Sequence, residues 1–357
     1  MTQRPVTIIT GFLGSGKTTL LNHLLADPDM ADTAVVINEF GEVSVDHLLV
    51  EASIENTMVL QSGCVCCTIR GDLVDTLLDL DGKARRGDIP EFSRVLVETT
   101  GLADPVPIVQ TLATDKMLTP IFSLRAVITT VDAVNGGANL DEMPEPVKQA
   151  ALADVLLITK SDIAGDNAVS DLEARLAKIN PGAARRRISH GKISPDELFG
   201  FVKADPHASP EMLQDWLATA AFAEPEGGHH AHDHDGHAHG HDNAGHAHGD
   251  PNRHSDRIRA FCLKLDQPIA MAALERWLQS ITSLRGADLL RMKGVVNVAG
   301  LPGPVVVQGV QHLLHPPVRM ARWPDEDQTT RVVFITRDIP ESALKGSFEA
   351  MAAAIVV

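Results

Sequence analysis

Glycines, a lysine and two threonines near the start of the chain have the spacing of a phosphate-binding loop. Residues 11–18 read G-F-L-G-S-G-K-T, which matches the pattern G-x-x-x-x-G-K-[ST] at each specified position. An apolar run precedes the pattern and a helical one follows it, so backbone N–H groups at a helix N-terminus would surround the phosphates. Lys17 is predicted to reach the β- and γ-phosphates, and the Thr18 hydroxyl to bind Mg²⁺. The residues predicted to contact the nucleotide here are Gly11, Gly14, Ser15, Gly16, Lys17, Thr18 and Thr19.

A second apolar run ends in an acidic residue, with a glycine three positions later. Residues 95–101 read V-L-V-E-T-T-G, so Glu98 lies at the end of a predicted strand. A carboxylate there can hold the coordination shell of Mg²⁺, and Gly101 can let a backbone N–H approach the γ-phosphate. Without a phosphate loop nearby, Glu98 would be equally well explained as a solvated strand end. Beside that loop, we predict that Glu98 joins Lys17 and Thr18 in catalysis.

The four residues T-K-S-D at positions 159–162 predict which base the site accepts. They end an apolar run, and Asp162 can accept hydrogen bonds from both the ring N–H and the exocyclic amine of guanine. Adenine lacks this pair of donors, so Asp162 favours GTP over ATP, while Lys160 would lie along the base plane. Asn is the usual first residue of this motif, and Thr159 stands in its place. The turn at residues 189–191 either closes over the base or is an ordinary strand-end turn.

Three cysteines within four positions form a second chemical feature. Cys64, Cys66 and Cys67 follow a glycine, between a predicted strand and a predicted helix. Three thiolates on one turn can bind an ion such as Zn²⁺ or Cu(I), and a tetrahedral ion then keeps one open position. An open position suits transfer of the metal to another protein. The alternatives are a redox pair with C-x-x-C spacing and simple packing of small side chains.

Two further segments carry side chains that bind metals. In the run N-E-F-G-E at residues 38–42, we predict Glu42 as an oxygen ligand of the metal. Glu39 is the predicted carboxylate that orients the attacking water, and solvated loop carboxylates are the alternative for both. Nine of the 16 histidines lie in residues 228–249. Imidazoles there would bind divalent metals with little geometric selectivity, so we expect capture or buffering rather than the selective site.

The charge of the chain excludes several classes of partner. Its 357 residues include 31 Lys and Arg against 47 Asp and Glu, which gives a net charge of −16. Nucleic acids and anionic membranes are therefore not expected, because phosphate contacts need a surplus of basic charge. No apolar run approaches the roughly 20 residues that span a bilayer. The closely spaced cysteines do not form a disulfide framework, and we predict a cytoplasmic protein.

Short β-branched runs alternate with amphipathic runs over the first 200 residues, which predicts a parallel sheet covered by helices. The predicted strands are residues 6–10, 34–38, 58–61, 94–98, 126–131, 155–159 and 185–189. The predicted helices are residues 17–25, 72–80, 105–113 and 169–179. The fold class is therefore α/β, a P-loop NTPase sheet with flanking helices.

The composition changes after residue 203, where a low-complexity segment interrupts the pattern. We predict a nucleotide-binding domain at residues 1–203, a flexible His-rich linker at 204–256 and a smaller α+β domain at 257–357. In that last domain, the predicted strands are 257–265, 289–298, 305–310 and 331–336, and the predicted helices are 269–284 and 342–353. Cys262 is expected in the core, and His312 and His315 are expected to be structural.

Together the motifs resemble the CobW family of P-loop GTPases, which is related to the nickel-delivering GTPases of hydrogenase and urease maturation. The residues that carry the resemblance are 11–19, 38–42, 63–67, 98–101, 103–105 and 159–162. Residues 289–294 and 307–311 are similar to the family's C-terminal domain. Family members often have Thr where this chain has Thr159. Some have Glu where this chain has Ile37, so a carboxylate ligand from that position is not available here.

The resemblance implies a GTP-hydrolysing metal chaperone, which converts GTP and water to GDP and phosphate. It implies GTP, Mg²⁺ and Zn²⁺, with Co²⁺ in members that serve cobalamin synthesis. We expect zinc to bind at the C-x-C-C motif and to pass to a client metalloprotein in a nucleotide-dependent way. The alternatives are a cobalt-handling GTPase for cobalamin biosynthesis, a passive metal buffer with weak GTPase activity, and a small-molecule kinase. The residues do not decide which client is served, or between a monomer and a homodimer.

Overall fold

The structure is a computed structural model that describes residues 3–38, 58–61, 69–202, 257–323 and 325–353. Several predicted site residues lie outside these ranges, namely Glu39, Glu42, Cys64, Cys66 and Cys67. The histidine-rich residues 228–249 also lie outside them. The predictions made for these residues stay predictions.

Seven parallel strands in the described residues form the first sheet, here called the N-terminal sheet. They are β1 (Arg4–Gly11), β2 (Thr33–Asn38), β3 (Met58–Gln61), β4 (Arg94–Thr99), β5 (Phe122–Asp132), β6 (Val155–Thr159) and β7 (Ala184–Arg187). Their order is β3-β2-β4-β1-β5-β6-β7, which places β1 at the centre. Parallel strands buried on both faces need near-continuous apolar sequence, and β6 is buried along its whole length.

Helices cover both faces of the N-terminal sheet. They are α1 (Lys17–Leu25), α2 (Ile69–Arg86), α3 (Val106–Thr114), α4 (Gly136–Glu142), α5 (Pro144–Leu152), α6 (Asp166–Ile179) and α7 (Pro195–Val202). Successive residues of β1 point to opposite faces. Ile8 packs in one cluster with Leu77 of α2, and Ile9 packs in another with Leu20 of α1. The centre of the sheet is therefore dry on both sides, which fixes the strand ends that carry the site.

An antiparallel sheet follows, here called the C-terminal sheet. Its strands are β8 (Ile258–Leu265), β9 (Leu289–Val296), β10 (Val305–Val310), β11 (Leu313–Leu314), β12 (Val318–Arg319) and β13 (Thr330–Arg337). The order is β11-β10-β9-β13-β8, with β12 paired to β10. The helices α8 (Met271–Arg285) and α9 (Glu341–Ala353) cover one face, where Trp277 packs against Phe334 and Phe348.

The C-terminal sheet packs directly on two helices of the first unit. Leu290 of β9 and Ile335 of β13 share one buried cluster with Val147 of α5 and Leu172 of α6. Contact between the two sheets therefore runs through helices that also cover β5 and β6. Among the helices in the described part of the chain, none combines the length and apolar character needed to cross a bilayer.

The structure confirms the predicted α/β class and most of its elements. The helix at residues 17–25 and the strands at 58–61, 155–159 and 305–310 have the predicted bounds. The helices α4, α5 and α7 and the short strands β11 and β12 were not predicted, because none has a long apolar period. Cys262 was expected in the core, but it is only half-buried, because β8 is an edge strand of the C-terminal sheet; burial still raises the pKa of its thiol to about 11. His312 Nδ1 lies 2.9 Å from the Thr282 carbonyl oxygen, in agreement with a structural role.

Candidate nucleotide site

The strand ends that carry the sequence motifs meet at one edge of the N-terminal sheet. Gly11 ends β1, Thr99 ends β4, Asp132 ends β5 and Thr159 ends β6. These four strands are neighbours, and their parallel direction brings their carboxyl ends together. Ligands of open α/β sheets bind at this edge. Three motifs separated by up to 148 positions in the chain (159 minus 11) therefore become parts of one site.

The phosphate loop turns at two glycines with left-handed backbone. Gly14 has φ 71° and Gly16 has φ 91°, a conformation that residues with a Cβ rarely adopt. The helix α1 begins immediately afterwards, so its first N–H groups are directed at the loop. Lys17 is only 8% exposed, and its Nζ donates to the carbonyl oxygens of Gly11 at 2.9 Å and Phe12 at 3.1 Å. The ammonium group is therefore held inside the turn of the loop.

The hydroxyl of Ser15 links the loop to the strand beside it. Ser15 is buried, and its Oγ lies 2.7 Å from Thr130 Oγ1 on β5. Thr130 Oγ1 also donates to the Thr10 carbonyl oxygen at 3.3 Å. In the same motif, Thr18 is half-buried on the first turn of α1 and Thr19 is exposed. Ser15 thus supports the loop from beneath, while the two threonines lie on its helical side.

The residues after Glu98 lie against the phosphate loop. Glu98 is 7% exposed at the carboxyl end of β4. The next residue, Thr99, donates from Oγ1 to Thr10 Oγ1 at 2.8 Å, which joins the ends of β4 and β1. A Cβ at Gly101 would lie 2.6 Å from Leu13 Cδ2 and 2.7 Å from the Leu13 backbone N. Only glycine allows this approach, so Gly101 brings its backbone directly to the loop.

Thr159 connects the base motif to the phosphate loop. Its Oγ1 donates to the Ser15 carbonyl oxygen at 2.7 Å, with a longer contact of 3.3 Å to the Val131 carbonyl oxygen. Its methyl group packs near Gly16, where a Cβ would lie 3.5 Å from Thr159 Cγ2. A threonine hydroxyl is therefore sufficient to bind the loop at this position. The replacement of the usual Asn does not break the connection between the two motifs.

Lys160 is held by an acidic residue that the sequence analysis did not single out. Its Nζ donates to Asp132 Oδ2 at 2.8 Å, and its backbone has a left-handed φ of 56°. Burial by itself would raise the pKa of Asp132, but hydrogen bonds from Lys160 and Asn135 outweigh burial and lower that pKa. Asp132 therefore stays ionised and keeps the lysine in one orientation.

Asp162 follows on the same turn and lies beside a histidine. His190 Nε2 lies 3.4 Å from Asp162 Oδ2, and the histidine side chain is 71% exposed. The adjacent Gly191 has φ 70°, and a Cβ there would lie 2.7 Å from the Thr19 carbonyl oxygen. The turn at residues 189–191 is therefore packed on the first turn of α1, close to the base motif.

The sequence analysis missed three residues of this site, and only one of them had a sequence pattern that could have indicated it. Asp132 stands at the end of an apolar strand, a position from which an acidic residue could have been predicted. Thr130 and Gln149 carry no such signal, because their partners are distant in sequence. Gln149, on α5, is 1% exposed and donates from Nε2 to the carbonyl oxygens of Gly101 at 3.1 Å and Ala103 at 3.0 Å.

The described residues bring no metal cluster together. Nowhere in the ranges that the structure describes do three or more His, Cys, Asp or Glu side chains form a group that could hold a metal ion. The predicted metal ligands Cys64, Cys66, Cys67 and Glu42 lie outside those ranges. Within the described ranges, the candidate site is therefore the edge of the N-terminal sheet where the phosphate loop and the base motif meet.

Two family models match the chain, one over the N-terminal sheet and one over the C-terminal sheet. The CobW/HypB/UreG nucleotide-binding domain matches residues 5–186, which contain the N-terminal sheet up to Arg186. The cobalamin synthesis protein cobW C-terminal domain matches residues 258–352, which contain the C-terminal sheet.

Full-length relatives and a solved structure are similar over nearly the whole chain. The chain is 32% identical to the zinc chaperone YjiA of Escherichia coli, over 96% of this chain and 97% of that protein. It is 30% identical to the zinc chaperone CobW of Pseudomonas aeruginosa, over 95% and 89% respectively. It is also similar to the crystal structure of the Zn(II)-bound YjiA GTPase from E. coli. That comparison has a TM-score of 0.70 and 28% identity, and it covers 98% of this chain and 99% of the other.

Proposed function

The chain belongs to the CobW/HypB/UreG family, and on that premise we propose that it is a GTP-hydrolysing zinc chaperone. The observation that carries the proposal is the joining of the phosphate loop to the base motif, through the hydrogen bond from Thr159 to the Ser15 carbonyl oxygen. One rigid unit then reads both the phosphates and the base. The names of the relatives in E. coli and P. aeruginosa support zinc as the metal.

The geometry supports GTP as the nucleotide. Lys17 lies within the phosphate loop, so its ammonium can move from the Gly11 and Phe12 carbonyl oxygens to the β- and γ-phosphates. Gly101 lies against the phosphate loop, so its backbone N–H can approach the γ-phosphate from the side opposite Lys17. Asp162 would accept the two guanine donors, and the Lys160 side chain, fixed by Asp132, would flank the base plane.

The oxygen donors in the site fit Mg²⁺. Thr18 is half-buried on the first turn of α1, and Glu98 is buried at the end of β4, so this edge of the sheet contains a hydroxyl and a carboxylate. Thr18 and Glu98 would hold Mg²⁺, which would supply positive charge to neutralise the negative charge that develops during hydrolysis. Glu39 is the carboxylate that we propose to orient the attacking water.

Zinc is the cargo in this proposal, and the C-x-C-C motif is its site. Thiolates of Cys64, Cys66 and Cys67 would hold the ion, with Glu42 as an oxygen donor. We expect the affinity of the protein for zinc to differ between the GTP and GDP states, because Glu39 and Glu42 follow β2 in sequence. Strand β2 is the neighbour of β4, whose end leads to Gly101, the residue proposed to approach the γ-phosphate. Hydrolysis of GTP would then lower the affinity of the protein for zinc, and the ion would pass to a client metalloprotein in the cytoplasm.

Calorimetry of zinc binding tests this coupling. We expect the zinc affinity of the wild-type protein to differ about tenfold between a non-hydrolysable GTP analogue and GDP, which corresponds to about 1.4 kcal/mol. Cys66→Ala should lose tight zinc binding in both nucleotide states, because only two of the three proposed thiolate ligands remain. Cys262→Ala is the matched control, since this half-buried thiol lies on β8 in the C-terminal sheet, and it should bind zinc like wild type.

Two outcomes would contradict the proposal. Equal zinc affinity with GTP analogue and GDP would leave a GTPase with a passive thiol cluster. Unchanged zinc binding by Cys66→Ala would show that the metal binds elsewhere, for example on the histidines of residues 228–249. Deletion of residues 228–249 is expected to retain GTP-stimulated zinc transfer, whereas the buffer alternative requires that deletion to abolish function.

A further inference from the structure

The helix α5 holds the loop formed by residues 100–104, here called the 100–104 loop. Gln149 Nε2 donates to the carbonyl oxygens of Gly101 and Ala103 at 3.1 and 3.0 Å. The neighbouring Lys148 forms an ion pair with Asp104 at the end of the loop. Asp104 in turn accepts a hydrogen bond from the Val106 N–H at 3.0 Å, at the start of α3. Adjacent residues of α5 thus fix the loop at three points.

The opposite side of the 100–104 loop lies against the phosphate loop. At Gly101 a Cβ would come within 2.8 Å of Leu13 Cα, which shows that the two backbones are in direct contact. The 100–104 loop is therefore enclosed between the phosphate loop and α5. Gln149 is 1% exposed, so its amide cannot exchange the loop carbonyls for bulk water at low cost. Among the residues that the structure describes, no donor reaches Gln149 Oε1, so the hydrogen bonds of this amide all go to the loop.

The C-terminal end of α5 is held by the C-terminal sheet. The last carbonyl groups of a helix lack partners within the helix, and cations are favourable there. Arg291 of β9 donates to the Leu152 carbonyl oxygen and forms an ion pair with Asp154. Lys293, also on β9, donates to the same carboxylate at 2.7 Å. Asn180 Nδ2 binds three further carbonyl oxygens of this end, those of Ala150, Ala151 and Ala153.

We propose that Gln149 is a positioning residue that holds the 100–104 loop for recognition of the γ-phosphate of GTP, and that Arg291 acts on the same loop through α5. The inference rests on the proposed function, because the loop senses the γ-phosphate only if the nucleotide binds as described above. In this arrangement, the C-terminal sheet fixes the C-terminal end of a nine-residue helix whose central residues, Lys148 and Gln149, hold the loop. Movement of the C-terminal sheet, for example when a client binds it, would then change how well the protein distinguishes GTP from GDP.

The test measures nucleotide discrimination rather than stability. Fluorescent GDP and a fluorescent non-hydrolysable GTP analogue are titrated into the full-length protein, and the ratio of the two dissociation constants is compared between variants. Gln149→Met keeps the side-chain volume and removes the donor. We expect it to weaken binding of the GTP analogue about tenfold and to leave GDP binding within twofold, because GDP lacks the phosphate that faces the loop.

Arg291→Met tests the remote contact. We expect it to weaken binding of the GTP analogue about threefold without changing GDP binding. In the double variant with Gln149→Met, the effect should equal that of Gln149→Met alone, because both act through one path. Arg337→Met is the matched control, since Arg337 pairs with Asp288 inside the C-terminal unit, and its ratio should equal that of wild type.

Each result decides between coupling and a structural role. Lower melting temperatures with an unchanged ratio of affinities would overturn the inference, and so would additive effects in the double variant. If Gln149→Met does not fold, Lys148→Met replaces it at a partly exposed position and should weaken binding of the GTP analogue relative to GDP about two- to threefold. A wild-type protein that binds neither nucleotide would refute the proposed function, which is a separate outcome.

Discussion

At the scale of single residues, the site combines a strongly fixed lysine with a lightly fixed aspartate. Lys160 is bound at 2.8 Å to Asp132, which is 4% exposed, so its position does not depend on the base. Asp162 has a 3.4 Å contact to a mostly exposed histidine, so its carboxylate can exchange that contact for guanine at little cost. The residue that we propose to read the base is thus the one that can readily form new hydrogen bonds.

Asp162→Asn should change the base preference from guanine to xanthine. The carboxylate accepts two donors from guanine, whereas an amide accepts one and donates one, which matches the N–H and carbonyl of xanthine. We expect GTP affinity to fall about 100-fold and XTP to become the preferred nucleotide. Competition of both nucleotides against a fluorescent GTP analogue measures the change.

Asp166→Asn is the matched control for that exchange, because Asp166 is an exposed carboxylate in the first turn of α6. It should keep the preference for GTP. An Asp162→Asn variant that binds GTP as tightly as wild type would remove Asp162 from the base-reading role.

At the scale of elements, the contact between the 100–104 loop and the phosphate loop depends on one glycine. No side chain fits at Gly101, since the nearest atoms include the backbone N and Cα of Leu13, and a backbone cannot move aside like a flexible side chain. The loop is also fixed from behind by α5. Under the proposed function, small displacements of the 100–104 loop would therefore change its contact with the γ-phosphate.

Gly101→Ala should reduce GTP hydrolysis far more than it reduces GDP binding. The new methyl group forces the loop away from Leu13, and a misplacement of about 1 Å in a catalytic site can cost about 100-fold in rate. We expect kcat to fall by roughly this factor, with GDP affinity within twofold of wild type. Steady-state phosphate release and GDP titration measure the two quantities.

Gly137→Ala is the control for a glycine substitution in the same unit. Gly137 lies in α4, and within the described part of the chain no heavy atom lies within 4 Å of the position that its Cβ would take. Alanine should therefore be neutral there or should stabilise the helix by up to about 1 kcal/mol. Wild-type kcat in Gly101→Ala would show that the loop contact does not contribute to hydrolysis.

At the scale of the whole molecule, a charge cluster joins the two sheets. Burial by itself would raise the pKa of Asp154, but Arg291 and Lys293 outweigh burial and hold that pKa well below its usual range. Burial also lowers the pKa of Lys293, to about 8. Asp154 additionally accepts a hydrogen bond from the Val127 N–H at 3.0 Å. The carboxylate therefore connects β5, the start of β6 and the C-terminal sheet.

Asp154→Asn should destabilise the protein by about 3 kcal/mol at pH 7, because two largely buried cations lose their counter-ion. The folded-state pKa of Asp154 is lower than its unfolded value near 4, so its stabilising contribution is complete above about pH 5. That contribution decreases as the pH falls below about 4. Urea unfolding at pH 7 and pH 3.5 should therefore show a smaller difference between variant and wild type at the lower pH.

Asp79→Asn provides the comparison for an exposed carboxylate. Asp79 pairs with Lys83 on the surface of α2, and its loss should change stability by less than about 0.5 kcal/mol at either pH. If Asp154→Asn were equally mild, the charge cluster would not stabilise the contact between the sheets.

Short-range patterns were sufficient to predict much of this protein. The phosphate loop, the helix at residues 17–25 and the strand at residues 155–159 each depend on neighbours in sequence, namely glycines at a turn and a continuous apolar run. The motifs also predicted that these residues meet in one site, since parallel strands bring their carboxyl ends to one edge of the sheet.

Contacts between distant segments were decided by the tertiary structure. Asp132 and Lys160 are 28 positions apart, Gln149 and Gly101 are 48 apart, and Asp154 and Arg291 are 137 apart. The hydrophobic periodicity of the sequence does not predict such pairs, because each pair depends on how helices and strands pack against one another. The amino-acid sequence by itself thus determined which chemical groups the site contains, and the packing of α5 between the loop and the C-terminal sheet determined what holds them in place.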